Sequence, residues 1–291
     1  MVSKKHPIIA ITGSSGAGTS TVLNSFRHIF RREGLRVQIV QGDSFHRYDR
    51  EEMKKAMRAA EKRGNQHFSH FGPSANLLEN LEELFETYGS SGTGKFRRYL
   101  HSETEASFYK QPAGTFTNWE EISEGTDLLF YEGLHGGYSH GDLDIAKHVD
   151  LLVGVVPIIN LEWIQKLHRD RQARGYSQDA IVETILRRMP DYVNHITPQF
   201  SRTHINFQRV PLVDTSNPFI ARDIPLPEES LAIIRFAEPK GINFEYLLSM
   251  LDGAVMTRPN SFVIPGGKTS LAMQFIFTPL ILRLIDQKRQ I

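Results

Sequence analysis

The chain has 291 residues, 40% of them apolar and 23% charged, which supplies a hydrophobic core and excludes general disorder. Lysine plus arginine total 34 against 33 for aspartate plus glutamate, without the basic excess of a nucleic-acid binder, so any anion must be gripped by a local cluster. Cysteine is absent, which excludes disulfides, thiolate metal sites, cysteine nucleophiles and thiol switching, and fits a reducing cytoplasm.

In chain order, the start Met-Val-Ser-Lys-Lys-His-Pro carries no signal-type apolar run. Pro7 to Thr12 is a short apolar run ending in glycine, the pattern of a buried strand. Gly13 to Gly18 is a loop, and Ser20 to Glu33 places Val22, Leu23, Phe26, Ile29 and Phe30 at helical spacing before Gly34 stops it. Leu35 to Val40 is a second strand. This βαβ order predicts a sheet that is parallel at its centre. Helices are expected at 51–63 and 75–88, and an irregular polar stretch from Gly89 to Gly125 over the active-site face. Buried strands follow at 127–132 and 149–156, then helices at 161–174 and 178–192. Late strands at 210–213 and 231–236 and a C-terminal helix at 268–287 complete the reading. The apolar stretch Val149 to Ile159 contains Asp150 and Pro157 and is shorter than the ~20 residues that span a bilayer. No repeat or linker interrupts the chain, so one domain over 1–291 is expected: soluble, cytoplasmic, with neither a membrane nor a nucleic acid as partner.

The run Thr12, Gly13, Ser14, Ser15, Gly16, Ala17, Gly18, Thr19, Ser20 lies between a strand and a helix. Glycines there turn backbone N–H groups inward around phosphate oxygens, and the helix N-terminus adds its positive end. The spacing is that of a phosphate loop for ATP, except that Thr19 stands where lysine is usual; Ser20 still offers a hydroxyl to Mg²⁺. The rival is a dinucleotide fold, with Asp43 as a ribose-binding acid. Thr21 stands where the third Rossmann glycine should be, and none of the nine tyrosines has lysine four residues later.

Asp43 follows the second strand, where a carboxylate can take a proton from an attacking hydroxyl or cap a helix. Glu132 ends a strand, as an Mg²⁺ ligand beside a phosphate loop or as an exposed acid. Lys166, Arg169 or Asp170, and Arg174 share one helical face, with Arg187 and Arg188 on the next helix. Such a face is either solvated or supplies the cations that the missing loop lysine leaves wanting. His46, His101 and His135 show no metal-ligand spacing.

Together these residues resemble the phosphoribulokinase family, in its bacterial branch. The likeness is carried by Gly13 to Thr21, Gln41-Gly-Asp43-Ser-Phe-His46-Arg47, Phe68-Ser-His-Phe71, Leu129-Phe-Tyr-Glu-Gly-Leu-His135, Asn160-Leu-Glu-Trp-Ile-Gln-Lys166, His168-Arg-Asp-Arg171 and Asp214-Thr-Ser-Asn-Pro-Phe-Ile-Ala-Arg222, in order along nearly the whole chain. Uridine kinase and pantothenate kinase share only the phosphate loop, the Asp-Ser-Phe and the Arg-Asp lid. The resemblance implies a P-loop α/β fold, a central mixed, mostly parallel sheet flanked by helices. It implies transfer of the γ-phosphate of ATP to the C1 hydroxyl of ribulose 5-phosphate, with Mg²⁺. By resemblance Asp43 is the general base, Ser20 and Glu132 are Mg²⁺ ligands, Lys166 and Arg169 are the transition-state cations and Asp170 is a second essential acid. His46, Arg50, Lys54, Tyr99, His101 and Arg174 form the sugar-phosphate grip. A cytoplasmic homo-octamer is implied, activated by NADH through Arg32, Arg188, Arg235 and Arg258. Whether Asp43 or Asp170 is the base stays open, as does a nucleotide-sensing module that has lost catalysis.

Overall fold

The structure, a computed structural model, describes residues 6–14 and 18–289; the side chains of Ser20, Thr21, Ala173, Arg174 and Arg289 also lie outside the described residues. Eight strands form one sheet: β1 (Ile8–Thr12), β2 (Val37–Gln41), β3 (Leu128–Gly133), β4 (Leu151–Val156), β5 (Ile205–Pro211), β6 (Ser230–Phe236), β7 (Val255–Arg258) and β8 (Ser261–Pro265). Their order is β2-β3-β1-β4-β5-β6-β8-β7. The first five are mutually parallel, and β6, β8 and β7 extend the sheet antiparallel. Helices α1 (Thr19–Arg32), α2 (Arg50–Lys62), α3 (Leu78–Ser91), α4 (Glu103–Tyr109), α5 (Ile159–Arg174), α6 (Gln178–Asp191), α7 (Phe244–Met250) and α8 (Thr269–Arg289) complete the fold. This is the mixed, mostly parallel α/β arrangement that the resemblance implies, parallel at its centre as the βαβ pattern predicts.

A parallel strand covered on both faces must be apolar at every position, and β1 is: all five of its residues are buried. Ile9 and Ile11 face α1 and α8 with Phe26, Phe30, Phe130 and Phe277. Ile8 and Ala10 face α3 with Leu81, Phe85 and Tyr88. The ring of Phe26 lies 4.8 Å from that of Phe130 and 4.5 Å from that of Phe277, which clamps the helix after the phosphate loop onto the sheet. Each such buried ring contributes roughly 1.5–3 kcal/mol.

Several elements differ from the sequence reading. Strand β5 lies over Ile205–Pro211, mostly upstream of the expected 210–213, and the β7–β8 hairpin and helices α4 and α7 were not anticipated. Helix α3 begins at Leu78, three residues late, because Pro73–Ala75 is a 3₁₀ turn that leads into an extended Asn76. Gly266–Lys288 is long and apolar enough to cross a membrane by length and composition. Its stripe of Ala272, Met273, Ile276, Phe277, Ile281 and Ile285 is nevertheless buried in the core under α1 and the sheet, the ordinary behaviour of a core helix.

Candidate active site

Parallel strands present all their C-terminal ends at one edge, and here β1, β2, β3 and β4 deliver the phosphate loop, Asp43, Glu132 and α5 to that edge. Gly42 and Gly133 allow the close approach: a Cβ on either would lie within 2.6 Å of the Tyr131 hydroxyl and within 2.8 Å of the other glycine's Cα. Asp43 and Glu132 are thereby brought side by side.

In the phosphate loop, Gly18 caps α1 with φ of 94°, a left-handed conformation suited to glycine. Thr12 is fully buried and donates its hydroxyl to Gln199 Oε1 at 2.7 Å, so its side chain braces the loop from beneath. Ser14 donates its hydroxyl to Glu162 Oε1 on α5. Thr19 hydrogen-bonds to the Glu132 side chain, so the residue in place of lysine ties helix α1 to the strand-end acid. Ser15, Gly16 and Ala17 and the side chains of Ser20 and Arg174 lie outside the described residues.

Asp43 opens a 3₁₀ turn, Gly42–Phe45, at the end of β2. His46 Nε2 approaches its Oδ1 at 3.1 Å and His101 Nε2 its Oδ2 at 3.4 Å, while the carboxylate keeps 40% side-chain exposure. Burial works to raise the Asp43 carboxyl, but His46, His101 and His70 together pull it below the usual carboxylate range. The ring of His70 stacks on His46 at 4.1 Å and that of Tyr99 stands 4.8 Å from His101. Arg50 donates to the His101 carbonyl at 2.9 Å. The predicted grip residues His46, Tyr99 and His101 therefore converge on Asp43, with Arg50 behind them. Lys54 lies on the exposed face of α2, paired with Glu51 at 2.7 Å.

Glu132 is raised by burial and by Asp43, with its Thr19 bond and Arg27 opposing. On α5, Lys166 is 6% exposed and lies 2.5 Å from Asp170 Oδ2, with Arg169 Nε 3.1 Å from Oδ1. Burial and Arg188 lower the Lys166 ammonium to about 8, against the pull of Asp170. Glu162, Lys166 and Asp170 form a buried stripe on α5 at intervals of four, so this face is turned to the cleft and not to solvent.

Sequence reasoning missed three contributors. Arg97 donates to the carbonyls of Ser44 at 2.9 Å and His46 at 2.6 Å, with its guanidinium over the Phe116 ring at 3.6 Å. Asn76 and His70, from the segment between α2 and α3, pack against His46. Only the Phe68-Ser-His-Phe71 block hinted at them. Of the four arginines grouped as effector ligands, Arg188 sits over the Phe71 ring at 5.1 Å and acts electrostatically on Lys166, Glu162 and His70, which places it beside the cleft. Arg32 lies at the α1–α8 seam, donating to Thr278 at 2.7 Å. Arg235 and Arg258 both register with Ser261 at the antiparallel end of the sheet.

The donors fit Mg²⁺ bound with a nucleotide: two strand-end carboxylates, hydroxyls at the helix start, and no preformed cluster of three or more His, Asp or Glu among the described residues. A hard cation held mainly by phosphate oxygens and water needs no more protein ligands than these.

Comparison with known proteins bears on the family and the fold. A family model described as "Phosphoribulokinase / Uridine kinase family" matches residues 8–216. A chromosomal phosphoribulokinase of Cupriavidus necator is 60% identical over 289 residues, 99% of each chain. The phosphoribulokinase of Nitrobacter vulgaris is 57% identical over 287 residues, again 99% of each. The solved phosphoribulokinase from Rhodobacter spheroides superposes with a TM-score of 0.90 at 51% identity, covering 98% of this chain and 99% of that one.

Proposed function

The chain belongs to the phosphoribulokinase/uridine kinase family, and from that premise we propose that it transfers the γ-phosphoryl group of ATP to the C1 hydroxyl of ribulose 5-phosphate. The products are ribulose 1,5-bisphosphate and ADP. One observation carries the reading: an ionised, half-exposed Asp43 ringed by His46, His101 and Tyr99 lies at the same sheet edge from which α5 carries Lys166 and Arg169.

The transfer is direct. Asp43 accepts the proton of the C1 hydroxyl as its oxygen attacks the γ-phosphorus, and the bond from that phosphorus to the bridging oxygen of ADP breaks. Lys166 and Arg169 carry positive charge to the transferring group, and Asp170 fixes both in place. Mg²⁺, held through Glu132 and Ser20, would neutralise the β- and γ-phosphate oxygens. The phosphate loop of residues 12–20 takes the nucleotide. His46, Arg50, Lys54, Tyr99, His101 and Arg174 hold the sugar phosphate. The decisive test uses γ-labelled ATP: label must appear on C1 of the pentulose and nowhere on uridine or pantothenate. Label on a nucleoside instead would replace this reading with the other branch of the family.

The same reading makes the protein a single-domain, cytoplasmic homo-oligomer, an octamer, activated by NADH. Arg32 contacts α8 on one face of the sheet, whereas Arg235 alternates with the core-facing Ile234 and Phe236 and points to the other. On this reading a dinucleotide touching Arg32, Arg235 and Arg258 would bridge copies of the chain, which would tie activation to assembly. Arg188, at the cleft, would be where such a signal reaches Lys166.

A further inference from the structure

A phosphate loop with its own lysine positions that cation itself. Here Thr19 stands in the lysine's place and is tied to Glu132, so the cations for the loop come from a separate element, α5. A cation on another helix reaches the loop only as accurately as that helix is seated on it. A side-chain bond joins the two elements: Ser14, fully buried in the loop, donates its hydroxyl to Glu162 Oε1 in the first turn of α5. The backbone brings them together. Gly13 lies against the end of β4, where a Cβ would stand 2.8 Å from the Val155 carbonyl oxygen, and only Pro157 and Ile158 separate β4 from α5. The loop is thereby packed onto the entry of the helix.

Glu162, Lys166 and Asp170 follow at intervals of four, so Lys166 lies one turn, about 6 Å, beyond the Ser14 contact on the same buried face. Asp170 holds Lys166 at 2.5 Å and Arg169 at 3.1 Å, so the cations are carried as one block with the helix. The outer face of α5 is held elsewhere. Trp163 stacks on Phe219 at 5.3 Å, Asn160 donates to the Thr215 carbonyl at 2.9 Å and His168 bonds the Ala221 carbonyl at 3.1 Å. Those contacts fasten the helix to residues 215–221, whereas the Ser14 bond fastens it to the loop. Two tasks are open to Glu162, a tether or a counter-charge to the cations around it. Asp170 already supplies the counter-charge to Lys166 and Arg169, which leaves Glu162 the tether. We propose that Glu162 is a positioning residue: through Ser14 it fastens α5 to the phosphate loop, and so sets Lys166 and Arg169 against the phosphates that the loop holds.

The proposal rests on the reading above for the task of Lys166 and Arg169, and two measurements on the full-length protein keep the two apart. Hydrogen exchange without substrate reads the tether. Exchange over residues 159–174 is expected to rise about tenfold in both Ser14→Ala and Glu162→Leu, the scale of one lost hydrogen bond, while β1 and β3 keep their protection. Steady-state kinetics with MgATP and ribulose 5-phosphate reads the positioning. Each variant is expected to lower kcat by about tenfold or more, the consequence of a displaced reacting group, with ATP binding nearly intact. The double variant should be no slower than the worse single one, because both changes break the same bond. Glu162→Gln keeps an acceptor for Ser14 and should restore kcat to near the wild-type value. Losses that multiply in the double variant overturn the proposal, and so does Glu162→Gln as slow as Glu162→Leu, which makes the acid a counter-charge. A change confined to ATP binding overturns it too, since Ser14 would then serve the nucleotide alone. Unchanged exchange over 159–174 in Ser14→Ala does the same, whether or not the leucine variant folds. If ribulose 5-phosphate is not turned over while that exchange rises in both variants, the substrate assignment fails and the tether stands.

Discussion

Lys166 makes activity and stability move in opposite directions with pH. Its ammonium is buried beside Arg188 and lowered to about 8 from the ordinary 10.5, with Asp170 holding it from falling further. If the charged form serves phosphoryl transfer, kcat/KM follows its protonated fraction: at pH 9 that fraction is ~0.1, and an ordinary lysine would still be ~97% charged. An alkaline fall of about tenfold between pH 7 and 9 is therefore expected. Replacement by arginine, which keeps its proton throughout, should flatten that limb whatever it does to the maximum rate. On the stability side, the unfolded chain holds this proton up to about 10.5 and the folded chain releases it near 8, so the unfolded state binds more protons in that window and stability rises with pH. Between pH 7.5 and 9.5 the gain is about 2 kcal/mol relative to Lys166→Met, an upper figure for a lysine paired with an acid. Urea denaturation of both proteins across that range measures it. A flat pH–rate profile to pH 9.5, or a limb that persists unchanged in Lys166→Arg, would refute the assignment of Lys166 as a buried, rate-determining cation.

Asp43→Asn should leave ATP binding nearly intact and lower kcat by at least ~10²-fold, the low end for general base catalysis; near-normal turnover would pass the role to Asp170. Arg97→Leu leaves the Ser44 and His46 carbonyls without their donor and should cost about 1–3 kcal/mol of stability in urea denaturation, with a loss of kcat; an unchanged midpoint and rate would show that the 3₁₀ turn holds itself. NADH, added at sub-saturating substrate, should raise the rate without being oxidised, and the activation should be lost in Arg235→Ala; a rate indifferent to NADH removes the effector proposal.

The central fold was legible because β1, the phosphate loop and α1 are contiguous, and contiguous elements write their periodicity into the sequence. The two-sided apolar run of Ile8–Thr12 and the spacing of Val22, Phe26 and Phe30 could mean little else. Strand β5 was displaced because Asn206, Gln208 and Arg209 interrupt its apolar run; in the structure Asn206 is buried and meets Thr203 at 2.6 Å. The β7–β8 hairpin was hidden because Thr257, Arg258, Pro259 and Asn260 read as loop. At the site, Asp43, Glu132 and Lys166 could be found because each sits at the end of a strand or on the face of a regular helix. Asn76, His70 and Arg97 could not, since their task is set by partners dozens of residues away that only the folded backbone brings to His46. Arg188 falls under the same limit: its neighbours Phe71 and Lys166 come from other segments.

The measurement that bears most directly on the whole account is a coupled ADP-release assay of the purified chain with MgATP and ribulose 5-phosphate, run in parallel with uridine and pantothenate. The account predicts turnover with ribulose 5-phosphate at a kcat/KM far above either of the others, and loss of that turnover in Asp43→Asn. Comparable or faster turnover of uridine or pantothenate, or no ADP release from a folded protein that still binds ATP, would contradict it.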